Sequence, residues 1–537
     1  MFHAGIMQSY RLTVDKFLDH AATWFGDRGI VEALPGGERL RAGYAELRER
    51  ANHMSGALAA LGLEPGQRVG TLAWNSRHHF EIYYATMGMG LVCHTLNPRL
   101  TVAQLAAMIT EAEDVLLAVA ADQVPLALEL ARACPCVRHL VVMDEPVPVE
   151  PAPDGPQVWD YAELLATKGA PHRWGDFAEE TPAGLCYTSG TTGEPRGVLY
   201  THRSNYLHTM RALQADSFAI TARDTVLLAV PMFHANGWGL PFSVPAAGAR
   251  MILPGRKLDG ESLIRLIREE AVTIAVGVPT VWFGMMDRLE QEGGGLPTLE
   301  RVLVGGSTCP EALIRRVEER VGAQVQTSWG MTELSPMGTI APPGARGAVH
   351  SGRPPLGLDI RLTDNEGVAL PEQRGKVGRL RVRGASVIDR YFNADEGALD
   401  AEGFFDTGDL AMLDPDGNLV ICGRSKDLIK SGGEWINPAE IEAIAGANPS
   451  ICAVAVIARY DEKWGERPVL VVQPREGHPF EPVGLLETLR GKVADWWIPT
   501  ELAEVGEMPL AATGKIDKNR LREQFESGAL AVRHVAI

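Results

Sequence analysis

Residues 187 to 197 read YTSGTTGEPRG, and an apolar run precedes them along the chain. Seven of these eleven residues are Ser, Thr or Gly. Such a loop offers backbone N–H groups and hydroxyls to an anion, and its glycines let the backbone approach a ligand closely. The loop lacks the Gly-Lys-Ser/Thr ending of a Walker A motif. Residue chemistry alone leaves two interpretations open, a phosphate-binding loop and a flexible surface loop.

The chain outside this loop alternates short apolar runs with amphipathic stretches. Helices are predicted at 45–63 and 262–270, between runs whose length suits a buried strand. This alternation is typical of an α/β fold with largely parallel sheets. The predicted buried strands are 68–73, 116–119, 139–143, 225–228, 250–253, 273–278 and 301–304.

The pattern changes after Gly352. Short strands at 360–363, 378–383 and 419–422, separated by turns, predict a small β-rich subdomain over about 352–424. A new alternation begins near Lys426, with helices predicted at 438–445 and 483–493 and strands at 451–458 and 468–473. The sequence therefore predicts a multi-domain α/β protein, with a large N-terminal domain at 1–424 and a small α+β C-terminal domain at 425–537.

Bulk composition narrows the class of protein. A length of 537 residues exceeds what one hydrophobic core supports, so two or more domains are expected. A formal net charge of −17 argues against nucleic-acid binding as the main activity. Seven scattered cysteines form no disulfide or zinc framework, which is typical of a reducing compartment. Neither a signal peptide nor a membrane-length apolar run is evident, so a cytoplasmic protein without a transmembrane segment is expected.

Four further motifs follow the loop: SWGMTELSP at 328–336, GFFDTGDL at 403–410, GRSKDLIKSGGEW at 423–435 and TGK at 513–515. In order and approximate spacing, all five motifs resemble those of the adenylate-forming, or AMP-binding, superfamily. Within it, VPMFHANGW at 230–238 and CHTLNPRL at 93–100 resemble bacterial medium- and long-chain fatty-acyl-CoA ligases, including methylmercaptopropionate-CoA ligases. The resemblance implies a ligase that joins a carboxylic acid to coenzyme A through acyl-AMP, with ATP and Mg²⁺, and a mobile C-terminal domain. It also implies a homodimer.

The resemblance assigns catalytic roles to four residues. Thr188 and Glu333 match the family's Mg²⁺ ligands, and Mg²⁺ bound to phosphates needs few protein oxygens. Lys515 is expected to bridge the acid's carboxylate and the α-phosphate during adenylation. His234 is expected to neighbour the carboxylate as an aromatic group rather than to act as a base. The alternatives are a capping or salt-bridged acid for Glu333, a solvated lysine for Lys515 and a core residue for His234.

The nucleotide is expected to contact three conspicuous side chains. Trp329 would stack on or beside adenine, Asp409 would accept hydrogen bonds from the ribose hydroxyls, and Arg424 would reach the ribose or a phosphate. A turn-forming role is the alternative for Asp409. The resemblance also assigns nucleotide binding to Thr188, Ser189, Gly190, Thr191, Thr192, Gly193, Arg196, Gly306, Ser328, Gly330, Met331 and Thr332.

The C-terminal motif residues are expected to act when the small domain rotates. Lys426 matches the family's hinge position, and the residues predicted to join the site after rotation are Lys430, Gly432, Gly433 and Trp435. The acyl pocket is expected to include His234, Trp238 as a gate, and Gly305. One departure stands in the phosphate loop, where Arg196 replaces the lysine of most relatives with a planar, bidentate cation.

The acid itself is not readable from the motifs. A medium-chain fatty acid is the first expectation, and methylmercaptopropionate or a long-chain or aryl acid are alternatives. Two other functions remain open, an adenylating enzyme with an acceptor other than CoA and an inactive nucleotide-binding sensor.

Overall fold

The structure is a computed structural model that describes residues 7–148, 155–188, 195–432, 434–475, 477–478, 480–511 and 515–535. Within these ranges, no helix is both long enough and apolar enough to span a membrane. The helices are α1 Asp15–Trp24, α2 Tyr44–Ala60, α3 Arg77–Gly88, α4 Val102–Ala112, α5 Val124–Ala133, α6 Tyr161–Lys168, α7 His202–Ala212, α8 Leu240–Ala246, α9 Gly260–Glu269, α10 Pro279–Glu292, α11 Glu311–Arg320, α12 Pro438–Gly446, α13 Pro482–Glu487 and α14 Lys518–Glu526.

The strands of the same ranges fall into four sheets. They are β1 Gly29–Ala33, β2 Arg39–Gly43, β3 Arg68–Leu72, β4 Val92–Thr95, β5 Asp114–Val119, β6 His139–Val142, β7 Gln157–Asp160, β8 Pro182–Tyr187, β9 Gly197–Thr201, β10 Thr225–Leu228, β11 Arg250–Leu253, β12 Ile274–Gly277, β13 Arg301–Val304, β14 Gln324–Gly330, β15 Met337–Ile340, β16 Leu358–Thr363, β17 Val377–Gly384, β18 Phe405–Leu413, β19 Leu419–Arg424, β20 Ile429–Ser431, β21 Glu434–Ile436, β22 Ile451–Asp461, β23 Gly465–Pro474, β24 Glu501–Glu504 and β25 Val532–His534.

Two large sheets form the body of the molecule. One has the strand order β15-β14-β13-β12-β10-β11-β1-β2, and the other has the order β7-β6-β5-β3-β4-β8-β9. Both are parallel in the interior and carry antiparallel pairs at their edges. Interior strands such as β10 and β12 are buried along their whole length because helices cover both faces. The predicted α/β fold with largely parallel sheets is confirmed.

The strand ends of the two large sheets position the candidate site. The YTSGTTGEPRG loop joins β8 to β9, which pair in antiparallel register. Gly305 and Gly306 directly follow β13, and Ser328 to Gly330 form the last part of β14. In α/β sheets, ligands bind outside the carboxyl ends of the strands. Two of the predicted motifs, together with the predicted site residues Gly305 and Gly306, therefore lie where this architecture places ligands.

The predicted short strands after Gly352 form a four-stranded antiparallel sheet of β16 to β19. Its register pairs Asp409 on β18 with Arg424 on β19. The predicted boundary at Arg424 to Lys426 coincides with the end of β19 and a short 3-10 helix, Ser425–Asp427, that precedes β20. The division of the chain at this point stays a prediction.

The C-terminal sheet combines β20 to β25, with β23 at its centre. The predicted helix at 483–493 is only partly present, since α13 ends at Glu487. Gly491 adopts a φ of +68° and a bridge pairs Arg490 with Val493, so the chain turns where a helix was expected. A glycine in the left-handed region ends a helix readily, which is the physical reason for the difference.

Candidate active site

The two ends of the phosphate-loop segment are joined at its base. The Thr188 backbone N–H donates to the Arg196 carbonyl at 2.9 Å, and the Arg196 N–H donates to the Thr188 hydroxyl at 3.2 Å. The Arg196 guanidinium lies over the Tyr391 ring, 4.0 Å from its centroid. This cation–π contact therefore orients the Arg196 guanidinium. The predictions for Ser189, Gly190, Thr191, Thr192 and Gly193 fall outside the described residues.

Glu333 is a buried carboxylate in the short 3-10 helix Thr332–Leu334, directly after β14. The Tyr391 hydroxyl donates to its Oε1 at 2.7 Å, and burial is the main cause that raises the pKa of Tyr391. Within the described residues, no lysine or arginine forms an ion pair with Glu333 at hydrogen-bond distance. A buried carboxylate held by one neutral donor retains lone pairs for a cation, as a Mg²⁺ ligand requires.

Asp409 is buried and is held from two sides. The Trp329 indole N–H donates to Oδ2 at 2.9 Å, and the Arg424 Nε lies 2.8 Å from Oδ1. Burial raises the pKa of Asp409, while the Arg424 charge and the Trp329 hydrogen bond oppose that rise. A carboxylate accepts about four hydrogen bonds, so each oxygen keeps one lone pair for a ribose hydroxyl.

Trp329 was expected to stack on or beside adenine. A Cβ at Gly338 would lie 2.4 Å from two carbons of the indole ring, and the indole N–H donates to Asp409. The indole therefore packs closely on the Gly338 backbone. The structure adds a positioning contact to Trp329, and the stacking role stays a prediction.

The other residues of the SWGMTELSP motif serve the backbone of this region. The Ser328 hydroxyl donates to the Val304 carbonyl at 3.0 Å, next to Gly305. Gly330 pairs with Met337 across β14 and β15, the Met331 N–H donates to the Pro336 carbonyl, and Thr332 accepts from the Tyr200 hydroxyl. These contacts hold the strand end at which Trp329 and Glu333 project.

Lys515 lies near the C-terminal end of the sequence and comes close to Asp409 and Glu333 in the structure. It interacts electrostatically with Asp409, Glu333 and Arg424. Burial lowers the pKa of Lys515 to about 8, the Arg424 charge adds to this, and the charges of Asp409 and Glu333 oppose it. The group is half-buried and cationic at neutral pH. Its motif neighbours Thr513 and Gly514 lie outside the described residues.

His234 lies close enough to Lys515 for the two to interact electrostatically. Burial is the main cause that lowers the pKa of His234 to about 4, and the lysine charge contributes less. The imidazole is therefore neutral at physiological pH, which agrees with an aromatic neighbour of the carboxylate. His234 immediately precedes an unusual turn, in which every residue from Ala235 to Gly239 has a positive φ.

This left-handed turn presents Trp238 to the end of β13. A Cβ at Gly305 would lie 3.0 Å from the Trp238 ring and would overlap the Ser328 hydroxyl. Gly306, with a φ of +83°, also faces the ring. The Ala235 N–H at the start of the turn donates to the Cys186 sulfur at 3.1 Å. Trp238 and the two glycines therefore meet beside the Ser328 strand end, as a gate at the acyl pocket would require.

Among the remaining C-terminal motif residues, Lys426 is close enough to Lys515 to interact with it electrostatically, whereas Lys430 and Gly432 make their described contacts within the C-terminal part. Lys430 is placed over the Trp435 ring, 5.6 Å from its centroid, and the Gly432 N–H donates to the Trp464 carbonyl. Gly433 lies outside the described residues. Lys426 belongs to the short 3-10 helix after β19, and burial lowers its pKa. The structure therefore shows Lys515 at the site while the hairpin that carries Trp435 makes its described contacts elsewhere.

Sequence reasoning missed Tyr391, which holds both Glu333 and Arg196. Tyr391 lies in a loop without periodicity, and no spacing rule links it to either partner. It also missed Arg211 and His208 on α7, which are buried beside the left-handed turn. Both residues belong to a helix in which polar side chains outnumber apolar ones, so no apolar periodicity marked its buried face.

Comparison with known proteins gives two family matches. The model of the AMP-binding enzyme family matches residues 18–392, and the model of the AMP-binding enzyme C-terminal domain matches residues 440–515. Among solved structures, ATP-bound MatB from Rhodopseudomonas palustris is 27% identical, with a TM-score of 0.84 over 96% of this chain and 99% of that one. An anthranilate CoA ligase at 23% identity has a TM-score of 0.87 and covers 98% of this chain and 99% of its own.

Curated relatives match the chain over almost its whole length. The 3-methylmercaptopropionyl-CoA ligase of Ruegeria lacuscaerulensis is 42% identical over 97% of this chain and 99% of its own length. The medium-chain-fatty-acid–CoA ligase of Ectopseudomonas oleovorans is also 42% identical, over 97% of both chains. With both family models and these relatives in agreement, the chain belongs to the AMP-binding enzyme family.

Proposed function

We propose that the protein is an AMP-forming acid–CoA ligase. It converts a carboxylic acid, ATP and CoA to acyl-CoA, AMP and diphosphate through an acyl-adenylate. The observation that carries the proposal is the meeting of Lys515 with Glu333, Asp409 and Arg424, from three separate parts of the chain. The relatives' names and the ATP-bound state of MatB support the same reaction.

The first half-reaction joins two anions. A carboxylate oxygen of the acid forms a bond to the α-phosphorus of Mg·ATP, and the bond to the diphosphate oxygen breaks. The Lys515 ammonium reduces the repulsion between the carboxylate and the phosphate and stabilises the charge that develops between them. The neutral His234 packs beside the carboxylate and adds no charge to it.

The nucleotide is held by groups that the fold has already oriented. Asp409 accepts hydrogen bonds from the ribose hydroxyls, with Trp329 and Arg424 holding its carboxylate in place. Arg196 contacts the leaving diphosphate as a planar donor. Thr188 and Glu333 are the residues proposed to hold the magnesium ion of Mg·ATP, which neutralises phosphate charge. The buried Glu333 carboxylate, with a neutral tyrosine as its hydrogen-bond donor, fits that role.

The second half-reaction transfers the acyl group. The CoA thiol sulfur forms a bond to the acyl carbonyl carbon, AMP leaves with the bonding electrons, and the thiol proton passes to solvent. We propose that rotation of the C-terminal part, at Lys426, removes Lys515 and brings Lys430, Gly432, Gly433 and Trp435 to the site. A homodimer in the cytoplasm belongs to the same proposal, and sedimentation analysis tests the dimer.

The proposed acid is a medium-chain fatty acid. The medium-chain ligase of Ectopseudomonas oleovorans and the methylmercaptopropionyl ligase of Ruegeria lacuscaerulensis are equally similar to the chain, so the short thioether acid is the second candidate. A long-chain-fatty-acid–CoA ligase of Thermus thermophilus is 38% identical over 97% of both chains. Long-chain acids are therefore the third candidate substrates.

One assay separates the reaction classes. AMP release is measured with and without CoA, across straight acids of about three to sixteen carbons and several aryl acids, with diphosphate exchange followed in parallel. The proposal expects acid-dependent exchange without CoA and multiple turnovers when CoA is present. Exchange without any CoA-dependent turnover would instead indicate another acceptor, and the absence of both would indicate a nucleotide-binding sensor.

A further inference from the structure

Arg211 on α7 is a buried arginine that forms no ion pair in the part of the chain the structure describes. Only 4% of the residue is exposed. Its Nη2 donates to the Met337 carbonyl, and its Nε has no hydrogen-bond partner. Burial lowers the pKa of Arg211 to about 10, so the group stays charged at neutral pH. A buried charge without a counter-ion is unfavourable, which calls for an anion that the chain itself does not supply.

His208, three residues before Arg211 on the same helix, adds a second unused donor. Its Nε2 accepts the Met337 backbone N–H at 3.1 Å, so Nδ1 carries the proton of the neutral ring. That Nδ1 is buried without a partner. Burial and the Arg211 charge lower the pKa of His208 well below its ordinary value, so the ring stays neutral. Both unused groups are therefore donors, and neither can satisfy the other.

The position of these donors links them to the acid pocket. The ring of His208 lies against Gly239, where a Cβ would be 2.9 Å from Nδ1. Gly239 is the residue after Trp238, and Trp238 packs on the apolar cluster that contains Met337, whose backbone both α7 side chains bind. The His208 donor therefore lies directly beside the turn that carries the proposed acyl gate, and Arg211 lies beside it on the Met337 backbone.

The surrounding elements contribute further polar groups to this layer. The Thr339 hydroxyl on β15 and the Ser243 hydroxyl on α8 are fully buried and have no hydrogen-bond partner. Helix α8 packs against α7, and β15 carries Met337. A pocket for a plain alkyl chain would be lined by apolar groups, since each unsatisfied buried polar group is unfavourable. This layer instead combines an apolar wall with a cation and hydrogen-bonding groups.

We propose that Arg211 is a specificity-determining residue that binds a second carboxylate at the far end of the acid, so that the enzyme accepts medium-length dicarboxylic acids. The inference rests on the proposed acid–CoA ligase function and narrows the proposed medium-chain acid to one that carries a carboxylate at each end. A guanidinium presents two parallel N–H groups that match a carboxylate, and the His208 N–H adds a third donor. A purely alkyl acid leaves the Arg211 Nε and the His208 Nδ1 without an acceptor.

The test compares dicarboxylic acids of about four to twelve carbons with monocarboxylic acids of equal carbon number, in the wild type and in Arg211→Met and Arg211→Lys. We expect that, at one chain length, the wild type has a higher kcat/KM for the diacid. Arg211→Met lowers the ratio of diacid to monoacid kcat/KM by at least about tenfold, because a site built for a polar group discriminates strongly. Arg211→Lys retains part of the ratio. Arg203→Met, on the same helix but paired with Glu179 at the surface, leaves the ratio unchanged.

A ratio that is equal in the wild type and in Arg211→Met overturns the inference and leaves Arg211 as a structural residue that holds Met337. Turnover of monoacids with no turnover of diacids overturns it without touching the ligase proposal, whereas no turnover or diphosphate exchange with any acid overturns both. Should Arg211→Met not fold, the melting temperature of the wild type decides. A diacid that raises it more than the matched monoacid supports the inference, and equal shifts contradict it.

Discussion

At the scale of single residues, the site combines charges whose neighbours set their ionisation. Lys515 is the clearest case. Burial and the Arg424 charge lower its pKa, while the charges of Asp409 and Glu333 raise it. The result is a lysine with a pKa of about 8, still a cation at neutral pH. Burial also lowers the pKa of the neighbouring His234, to about 4, so its imidazole is neutral at physiological pH. The site therefore places the Lys515 cation near two carboxylates and a neutral imidazole.

Replacement of that cation should separate the two half-reactions. Lys515→Ala removes the charge between carboxylate and α-phosphate, so acyl-AMP formation should fall by about a hundredfold or more. Thioester formation from supplied acyl-AMP should change much less. Lys492→Ala, at an exposed lysine of the same part of the chain, is the matched control and should change neither rate. Equal losses in both half-reactions would remove Lys515 from its adenylation role.

The pH dependence of adenylation follows from the same residue. Lys515 is charged below its pKa of about 8 and neutral above it, so kcat/KM for the acid should fall as pH rises through about 8. A single deprotonation lowers the rate about tenfold per pH unit on the alkaline side. Bound ATP supports the cation, so the decline in kcat should begin at higher pH. Lys515→Arg stays charged and should lose the bend near pH 8, and an unchanged bend in that variant would assign it to another group.

At the scale of elements, the left-handed turn from Ala235 to Gly239 positions Trp238, the proposed acyl gate. A left-handed conformation disfavours a non-glycine residue by about 1–2 kcal/mol, and Ala235, Asn236 and Trp238 all adopt it. Asn236 is buried with both amide atoms unpartnered. Unfavourable backbone of this kind persists when packing around it determines the conformation, and it is concentrated at functional sites.

The conformation of this turn is a feature that could not be predicted from the sequence. Strands such as β10 and β13 were predicted at their observed bounds because a buried parallel strand is an uninterrupted apolar run. The motifs were readable because their residue types are local. The run of positive φ values, by contrast, depends on the Cys186 hydrogen bond and on packing against β13, which no local pattern records. The same reason explains why the sequence did not predict the roles of Tyr391 and Arg211 or the early end of α13.

The gate itself can be tested by truncation. Trp238→Ala should broaden the range of chain lengths accepted and raise the KM for short acids, because the indole that packs on Gly305 and Gly306 is lost. Rates with a panel of straight acids measure the effect, and ATP binding should be unchanged. Trp464→Ala, at a half-exposed tryptophan of the C-terminal part, serves as control. Identical acid profiles for Trp238→Ala and the wild type would place this residue outside the pocket.

At the scale of the whole molecule, the arrangement seen here brings Lys515 close to Asp409 and Glu333, as the proposed adenylation step requires. An ion pair between Arg475 on the end of β23 and Asp287 on α10, at 2.8 Å, supports this arrangement. Asp287 also binds Arg316 at 2.6 Å. Partly exposed ion pairs contribute about 1 kcal/mol or less. The contact is therefore weak enough to break in each catalytic cycle, as a rotation between half-reactions demands.

The rotation predicts a specific behaviour for Lys426, in the 3-10 helix between β19 and β20. A 3-10 helix has φ near −60°, which proline also adopts, so Lys426→Pro should be compatible with the present arrangement and should hold it. Acyl-AMP formation should persist, while overall CoA ligation falls at least about tenfold because the second arrangement needs new dihedral angles at the hinge. Lys426→Ala removes the same side chain without restricting φ and should retain ligation. Both half-reactions and a melting curve are measured for each variant. Equal loss of the two steps in a folded Lys426→Pro protein, or a Lys426→Ala protein as impaired as the proline variant, would contradict the hinge and leave Lys426 with a side-chain role.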